Sequence, residues 1–176
     1  PGNSSGENFF DEIGIKWLRI TPNTTMKHFK LVAALLITSA TFATATVKGW
    51  TTDFEAAKDQ AKKEGKEILL DFTGSDWCPP CQALHKDVFS KKAFIDSAKE
   101  NFVLVELDYP RKKKLDEELK KQNVGLAKKY KIRSYPTVLL VDANGKAFKK
   151  VEGNPNFNLS SFNKMLKTAL SAKKFR

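Results

Sequence analysis

Between residues 68 and 141, three short apolar runs alternate with amphipathic segments. The runs are Ile68–Phe72, Phe102–Leu107 and Thr137–Val141. Runs of this length, bounded by turn residues, are typical of buried strands, and the segments between them predict helices. The Asn-Gly pair at residues 144 and 145 predicts a turn into a fourth strand, Ala147–Val151. Because strands separated by helices usually pair in parallel, we predict an α/β protein. Its central mixed β-sheet has parallel strands plus an antiparallel C-terminal hairpin, and helices flank both faces.

The first 45 residues carry a different pattern. Met26 is followed by basic residues, by the apolar run Leu31–Ile37 and by small residues that end at Ala45. This order is typical of a secretory signal peptide, and the run is shorter than the ~20 apolar residues that span a membrane. We therefore predict a non-native upstream extension at residues 1–25, a signal peptide at 26–45 and a mature domain at 46–176. The protein would be exported, periplasmic or otherwise extracytoplasmic. An uncleaved membrane anchor and a native extension are the alternatives.

The chain has two cysteines, Cys78 and Cys81, separated by Pro79 and Pro80. With no other cysteine to pair with, they predict a redox-active dithiol and not a disulfide scaffold. Unpaired amides at a helix start stabilise a thiolate and lower the pKa of the first cysteine to about 3.5–7.5. Cys78 is therefore predicted to attack a partner's disulfide, and Cys81 to resolve the mixed disulfide. Because neither proline offers an N–H or a charge to the sulfurs, the direction of electron flow stays open.

The segments around the cysteines resemble a known family. Trp77-Cys-Pro-Pro-Cys81 follows the first apolar run, and Ser134-Tyr-Pro-Thr137 leads into the third. Together they resemble the thioredoxin superfamily, over roughly Trp50 to Leu170. Phe72-Thr-Gly-Ser75 makes the chain similar to exported thioredoxin-like proteins and to the thioredoxin-like domains of thiol:disulfide interchange proteins. The resemblance implies the thioredoxin fold.

The resemblance also implies which residues contact the partner. Pro136 is expected to be cis and to hold the partner's extended backbone beside Cys78. Tyr135 belongs to the same loop, and Trp77 would shield one side of the dithiol and offer a flat contact surface. We expect these three residues, together with Pro79 and Pro80, to bind the substrate.

Asp71 matches the buried acid that, in the family, takes the proton of the resolving thiol. It lies seven positions before Cys78, one more than in the familiar pattern, and Asp76 looks like the inserted residue. The alternative for Asp71 is an acid that lines or ends the strand in water. The resemblance thus predicts Asp71 as the third catalytic residue, beside the two cysteines.

The activity implied by the resemblance is that of an exported protein-disulfide oxidoreductase that needs no cofactor. Its partners would be protein thiols and disulfides and a membrane or exported electron donor, and it would act as a monomer. A disulfide oxidase or isomerase, a metallochaperone using the same thiolates, and a binding module without redox activity are the alternatives. His85 could add an imidazole to the two thiols, but structural zinc needs four ligands, so no metal site is predicted.

The formal net charge is +11, and lysine supplies most of it. We do not predict nucleic-acid binding, because no arginine cluster, aromatic-basic interleaving or known motif accompanies this charge. A lysine-rich surface instead keeps the protein soluble and favours acidic partners. The segment Arg111–Lys121 is longer than a minimal thioredoxin needs, and it either shapes partner choice or is solvated decoration.

Overall fold

The computed structural model describes residues 48–153 and 157–175. The predicted upstream extension, residues 1–25, and the predicted signal peptide, residues 26–45, lie outside these ranges. Within the described ranges, no helix is both long and apolar enough to cross a membrane.

The described residues form five α-helices and four β-strands. The helices are α1 (Phe54–Glu64), α2 (Pro79–Leu84), α3 (Lys92–Lys99), α4 (Glu117–Lys129) and α5 (Leu159–Lys174); the strands are β1 (Glu67–Thr73), β2 (Phe102–Asp108), β3 (Thr137–Val141) and β4 (Ala147–Glu152). A π-helical turn, His85–Phe89, continues α2. α1 shows how local chemistry sets the bounds of a helix. The carboxylate of Asp53 accepts the Ala56 N–H at its start, and Gly65 ends it in the left-handed region at φ 65°.

The four strands form one mixed sheet in the order β2-β1-β3-β4. β1 and β2 are parallel, from Glu67 opposite Phe102 to Thr73 opposite Asp108. β3 is antiparallel to β1, and β4 is antiparallel to β3. The mixed sheet and its antiparallel C-terminal hairpin are therefore confirmed. The expected parallel direction of β3 is wrong, because β1 and β2 are the one parallel pair of strands among the described residues.

The direction of β3 follows from the segment that precedes it. α4 ends beside the β3–β4 turn, where Tyr130 Oη donates to the Gly145 carbonyl at 2.8 Å. A strand that started there would run parallel to β1. Residues 131–136 instead carry the chain to the other end of the sheet, where Thr137 pairs with Phe72. β3 therefore starts beside the end of β1 and runs in the opposite direction.

The sheet separates two apolar clusters, as the prediction of helices on both faces requires. One cluster joins Leu69 of β1 to residues of α2, α3 and α5, including Phe162. The other joins Leu70 and Phe72 of β1 to residues of α1 and α4. Because residues two apart in a strand share a face, Asp71 lies with Leu69 on the face that α2 covers. This alternation places an acid of β1 on the same side of the sheet as the cysteines.

Candidate active site

The cysteine pair opens α2. Cys78 is the N-cap residue, with an extended backbone, and the two prolines fill the first turn. Because proline has no N–H, the first free amide of the helix is that of Cys81, which donates to Cys78 Sγ at 3.3 Å. The two sulfurs form a disulfide bond. Cys78 and Cys81 are only 3% and 2% exposed, whereas Pro79 is exposed and Pro80 is half-buried. The start of α2 thus brings both sulfurs together in their oxidised form.

Trp77 fixes the loop before the pair against two other segments. Its Nε1 donates to the Tyr109 carbonyl at 2.7 Å, just after β2. Its ring meets Tyr135 edge-on, with 5.7 Å between the ring centroids, and the guanidinium of Arg111 lies 3.9 Å from the centroid of the indole. A Cβ atom at Gly74 would lie 2.5 Å from the indole. The residue at position 74 must therefore lack a side chain for Trp77 to occupy this place.

The loop before β3 lies next to the Trp77 ring. The Tyr135–Pro136 peptide bond is cis, and Pro136 is buried. The Pro136 carbonyl accepts the Gly153 N–H at 3.1 Å, and Thr137 Oγ1 donates to the Ser134 carbonyl at 2.8 Å. These bonds anchor the loop to the residue that follows β4 and to itself. The contact between Tyr135 and Trp77 brings the loop to the cysteine-bearing segment.

Asp71 is buried in β1, with 4% of its surface exposed. Its Oδ1 has no hydrogen-bond partner among the described residues. Burial raises the pKa of this carboxyl well above its usual value, and the nearby carboxylates of Glu106 and Asp108 raise it further. The additional residue before the cysteines therefore leaves Asp71 inside the strand and out of water.

Asp76, the additional residue, holds a distant segment in place. Its carboxylate accepts the backbone N–H groups of Arg111, Lys112 and Lys113 at 3.0, 2.7 and 3.1 Å. The bond from Arg111 is the main cause that lowers the pKa of Asp76. The additional residue thus ties the segment after β2 to the loop that precedes Cys78.

A cavity of about 670 Å³ adjoins the second cysteine. Cys81, His85 and Glu106 all line it. Glu106 lies opposite Asp71 in the parallel ladder, and burial, followed by the charge of Asp108, raises the pKa of its carboxyl. Sequence reasoning missed Glu106, because a single acid inside an apolar run gives no sign of what it faces. Its position opposite Asp71 became visible only when the strands were paired.

His85 lies one turn after Cys81 and is half-buried. Burial lowers the pKa of its imidazole. Within residues 48–153 and 157–175, no group of three or more His, Cys, Asp or Glu side chains is arranged to hold a metal ion.

The segment that carries the sheet and the cysteine pair matches a known family. The family model described as a thioredoxin-like domain matches residues 54–170. The chain belongs to this thioredoxin-like family. The predicted fold and the resemblance are thereby confirmed.

This thioredoxin-like chain is similar to two curated proteins of Chlamydia pneumoniae. It is 30% identical over 124 residues to the thioredoxin-related protein DsbJ, with 66% of this chain and 36% of the relative covered. It is 31% identical over 102 residues to the disulfide bond reductase DsbH, with 58% of this chain and 61% of the relative covered. The chain thus spans about a third of the first relative and about three fifths of the second.

Solved structures show the same fold. The structure of a DsbH oxidoreductase matches with a TM-score of 0.64 at 26% identity, covering 74% of this chain and 92% of that one. A thioredoxin from Thermus thermophilus matches with a TM-score of 0.52 at 18% identity, covering 69% and 85%. The second match bears on the fold alone.

Proposed function

We propose that this thioredoxin-like protein is a protein-disulfide oxidoreductase that reduces or exchanges the disulfides of partner proteins. The observation that carries the proposal is the disulfide at the start of α2, in which Cys78 Sγ accepts the Cys81 N–H at 3.3 Å. In the reduced protein, the same N–H and the start of the helix would stabilise a thiolate on Cys78. The names of two relatives, a disulfide bond reductase and a DsbH oxidoreductase, support the same chemistry.

The reaction begins from the reduced dithiol. The Cys78 thiolate attacks one sulfur of the partner's disulfide, and the other partner sulfur leaves as a thiolate that takes up a proton. Cys81 then gives its proton to a nearby carboxylate, for which Asp71 is the proposed acceptor, and attacks Cys78 Sγ. The second partner sulfur leaves and is protonated. The partner gains two electrons and two protons, and the protein is left with the disulfide, which an external dithiol must reduce.

The raised pKa of Asp71 suits this role. A carboxyl with its ordinary pKa would be a weak base toward a thiol, whereas a buried carboxyl has a proton affinity closer to that of the thiolate. Trp77, Tyr135 and Pro136 would surround the approach to Cys78 and hold the partner's backbone. Pro79 and Pro80 would form the remaining contact surface.

We further propose that the direction is reductive. The segment between the cysteines carries no cation to stabilise the reduced form strongly, and one relative is named a disulfide bond reductase. We expect a reduction potential near the value of about −270 mV typical of thioredoxin. A potential near the value of about −120 mV of a strong oxidant would support the oxidase or isomerase alternative instead.

The proposed place of action is outside the cytoplasm, with electrons supplied by a membrane or exported donor. The signal-peptide pattern of residues 26–45 supports this proposal. N-terminal sequencing of the secreted protein should give Thr46 as its first residue. A mature terminus upstream of Met26 would contradict both the signal peptide and the proposed boundary.

The central experiment compares two cysteine variants. Cys81→Ala should attack a partner but not release it, so mixed disulfides accumulate on Cys78 and can be identified after non-reducing electrophoresis. Cys78→Ser is the matched control and should trap nothing. Wild-type protein should reduce insulin in the presence of an external dithiol, and neither variant should. Full insulin reduction by Cys78→Ser would refute the assignment of Cys78 as the attacking residue.

A further inference from the structure

We propose that residues Arg111–Lys114, here called the basic loop, form a docking surface for acidic protein segments. The preferred substrates would then carry Asp or Glu next to their reactive disulfide. This inference rests on the proposed oxidoreductase function and names the substrate class of the same site.

The basic loop is held beside the cysteine pair by specific contacts. Asp76, two residues before Cys78, accepts three consecutive backbone N–H groups of the loop. The guanidinium of Arg111 lies over the ring of Trp77, the residue next to Cys78. A partner whose disulfide reaches Cys78 must therefore pass close to these cations.

The basic loop also carries a dense and solvent-exposed positive charge. Its four residues are consecutive cations, and all four are exposed. No salt bridge of the described residues involves any of them, whereas Lys120, in α4, pairs with Glu117.

Three acids near the basic loop are already engaged, and a fourth, Glu106, lines the same cavity as Lys113 and Lys114. Asp76 accepts the loop amides, Asp108 accepts from Ser75, and Asp116 caps α4. Across Arg111–Lys121, six cationic and three acidic side chains leave a net charge of +3. The surface next to Cys78 therefore favours a partner with carboxylates.

The positive charge of the basic loop would act on the rate of association with the partner more than on the chemical step. A cluster of cations at the edge of a binding site raises the rate of encounter with an acidic partner, and salt screens the effect over about 8–10 Å. The cations stand next to a disulfide-exchange site, so the partner that benefits is an acidic protein segment with a cystine. Nucleic acid would gain no reaction from this position, and its binding is an outcome that the test below includes.

The test uses two disulfide peptides of equal length, one with Glu and one with Gln on both sides of each cysteine. The kcat/KM for their reduction is measured with the full chain and an external dithiol, at low and at high salt. We expect the Glu peptide to be preferred by about tenfold at low salt, and the preference to vanish at high salt. The triple variant Lys112→Gln, Lys113→Gln, Lys114→Gln should lose the preference. The readout is the ratio of the two kcat/KM values, because Lys113 and Lys114 also line the cavity beside Cys81. Arg111 is left unchanged because it covers Trp77.

A matched control separates the loop from the overall charge. Lys62→Gln, Lys63→Gln, Lys128→Gln removes the same charge from exposed lysines near the ends of α1 and α4, at the other end of the sheet. This control should keep the preference. If both triple variants lose it equally, or if the loop variant keeps it, the inference is wrong. The inference is also wrong if wild type reduces the two peptides with the same kcat/KM. In that case, binding of duplex DNA to wild type and not to the loop variant would identify nucleic acid as the ligand of the basic loop. If no peptide is reduced at all, the proposed function itself fails.

Discussion

Cys78 and Cys81 are bonded to one another, yet the groups beside them differ in kind. Next to Cys78 are aromatic rings and a cation, with Trp77 in contact with both Tyr135 and Arg111. Next to Cys81 is a cavity that Glu106 also lines. Under the proposed function, the two ends of this short motif have different tasks. The groups beside Cys78 would contact the partner, and the acids near Cys81 would accept its proton.

The two acids proposed to act near Cys81 share one physical setting. Asp71 and Glu106 lie opposite each other in the sheet, and the pKa of each is raised mainly by burial. The charge of Glu106 also raises the pKa of Asp71, because like charges in a poorly solvated site repel. Changes on this side should therefore alter the pH dependence of the reaction, whereas changes on the Cys78 side should alter substrate binding.

The largest expected effect comes from Asp71→Asn. The amide cannot take a proton from Cys81, so the release of the mixed disulfide should slow by about 100-fold near pH 7, while the attack by Cys78 changes much less. Rapid-mixing kinetics with a fluorescent disulfide peptide resolve the two steps. Equal slowing of both steps would place Asp71 outside the proton transfer and erase the distinction between the two sides.

The same variant has an effect on stability whose sign is fixed by the raised pKa. Above the ordinary value of 3.8, the unfolded chain releases the Asp71 proton while the folded protein still holds it. Wild-type stability is therefore lost as the pH rises, by up to about 1.4 kcal/mol per pH unit, until the folded carboxyl ionises. Asp71→Asn should match wild type in this respect near pH 3 and be more stable than wild type at pH 7, as urea unfolding can measure. The stability of Asp71→Asn relative to wild type should therefore be greater at pH 7 than at pH 3. The opposite order would contradict the assignment of Asp71 as a buried, unpaired carboxyl.

The next effect, on the Cys78 side, comes from Gly74→Ala. The new Cβ would lie 2.5 Å from the indole of Trp77, so the ring must move. We expect kcat/KM for a disulfide peptide to fall by about tenfold, with no change in the pH dependence of the resolving step. Gly125→Ala is the control, since nothing lies within 4 Å of its Cβ and alanine is the better helix former. A shifted pH profile in Gly74→Ala would show that the two sides are not separate.

Much of the fold could be predicted from the sequence because its strands are continuous apolar runs. Each of the runs beginning at Ile68, Phe102 and Thr137 became a strand, since a buried strand needs apolar side chains on both faces. The direction of β3 could not be predicted in this way. It depends on where residues 131–136 take the chain, and hydrophobic periodicity carries no information about that path.

The candidate site shows the same limit. The cysteine pair could be predicted from its spacing. Its neighbours Trp77 and Tyr135 could be predicted from the Trp-Cys and Tyr-Pro segments. The partners of Asp76 lie 35 to 37 residues away and are reached through backbone N–H groups, which every residue except proline offers. Glu106 lies opposite Asp71 because of the strand register, which is a property of the folded sheet.

The smallest effect, and the sharpest for the Cys81 side, is expected from Glu106→Gln. Because the charge of Glu106 raises the pKa of Asp71, its removal should lower that pKa and move the pH profile of the resolving step to lower pH. The rate at the optimum should fall only severalfold, since Asp71 remains. Glu67→Gln, at the other end of β1 and paired with Lys173, removes the same charge and should leave the profile in place. If Glu106→Gln and Glu67→Gln have identical profiles, the two acids are not coupled. The proton of Cys81 would then depend on Asp71 alone, and the cavity beside Cys81 would have no part in its transfer.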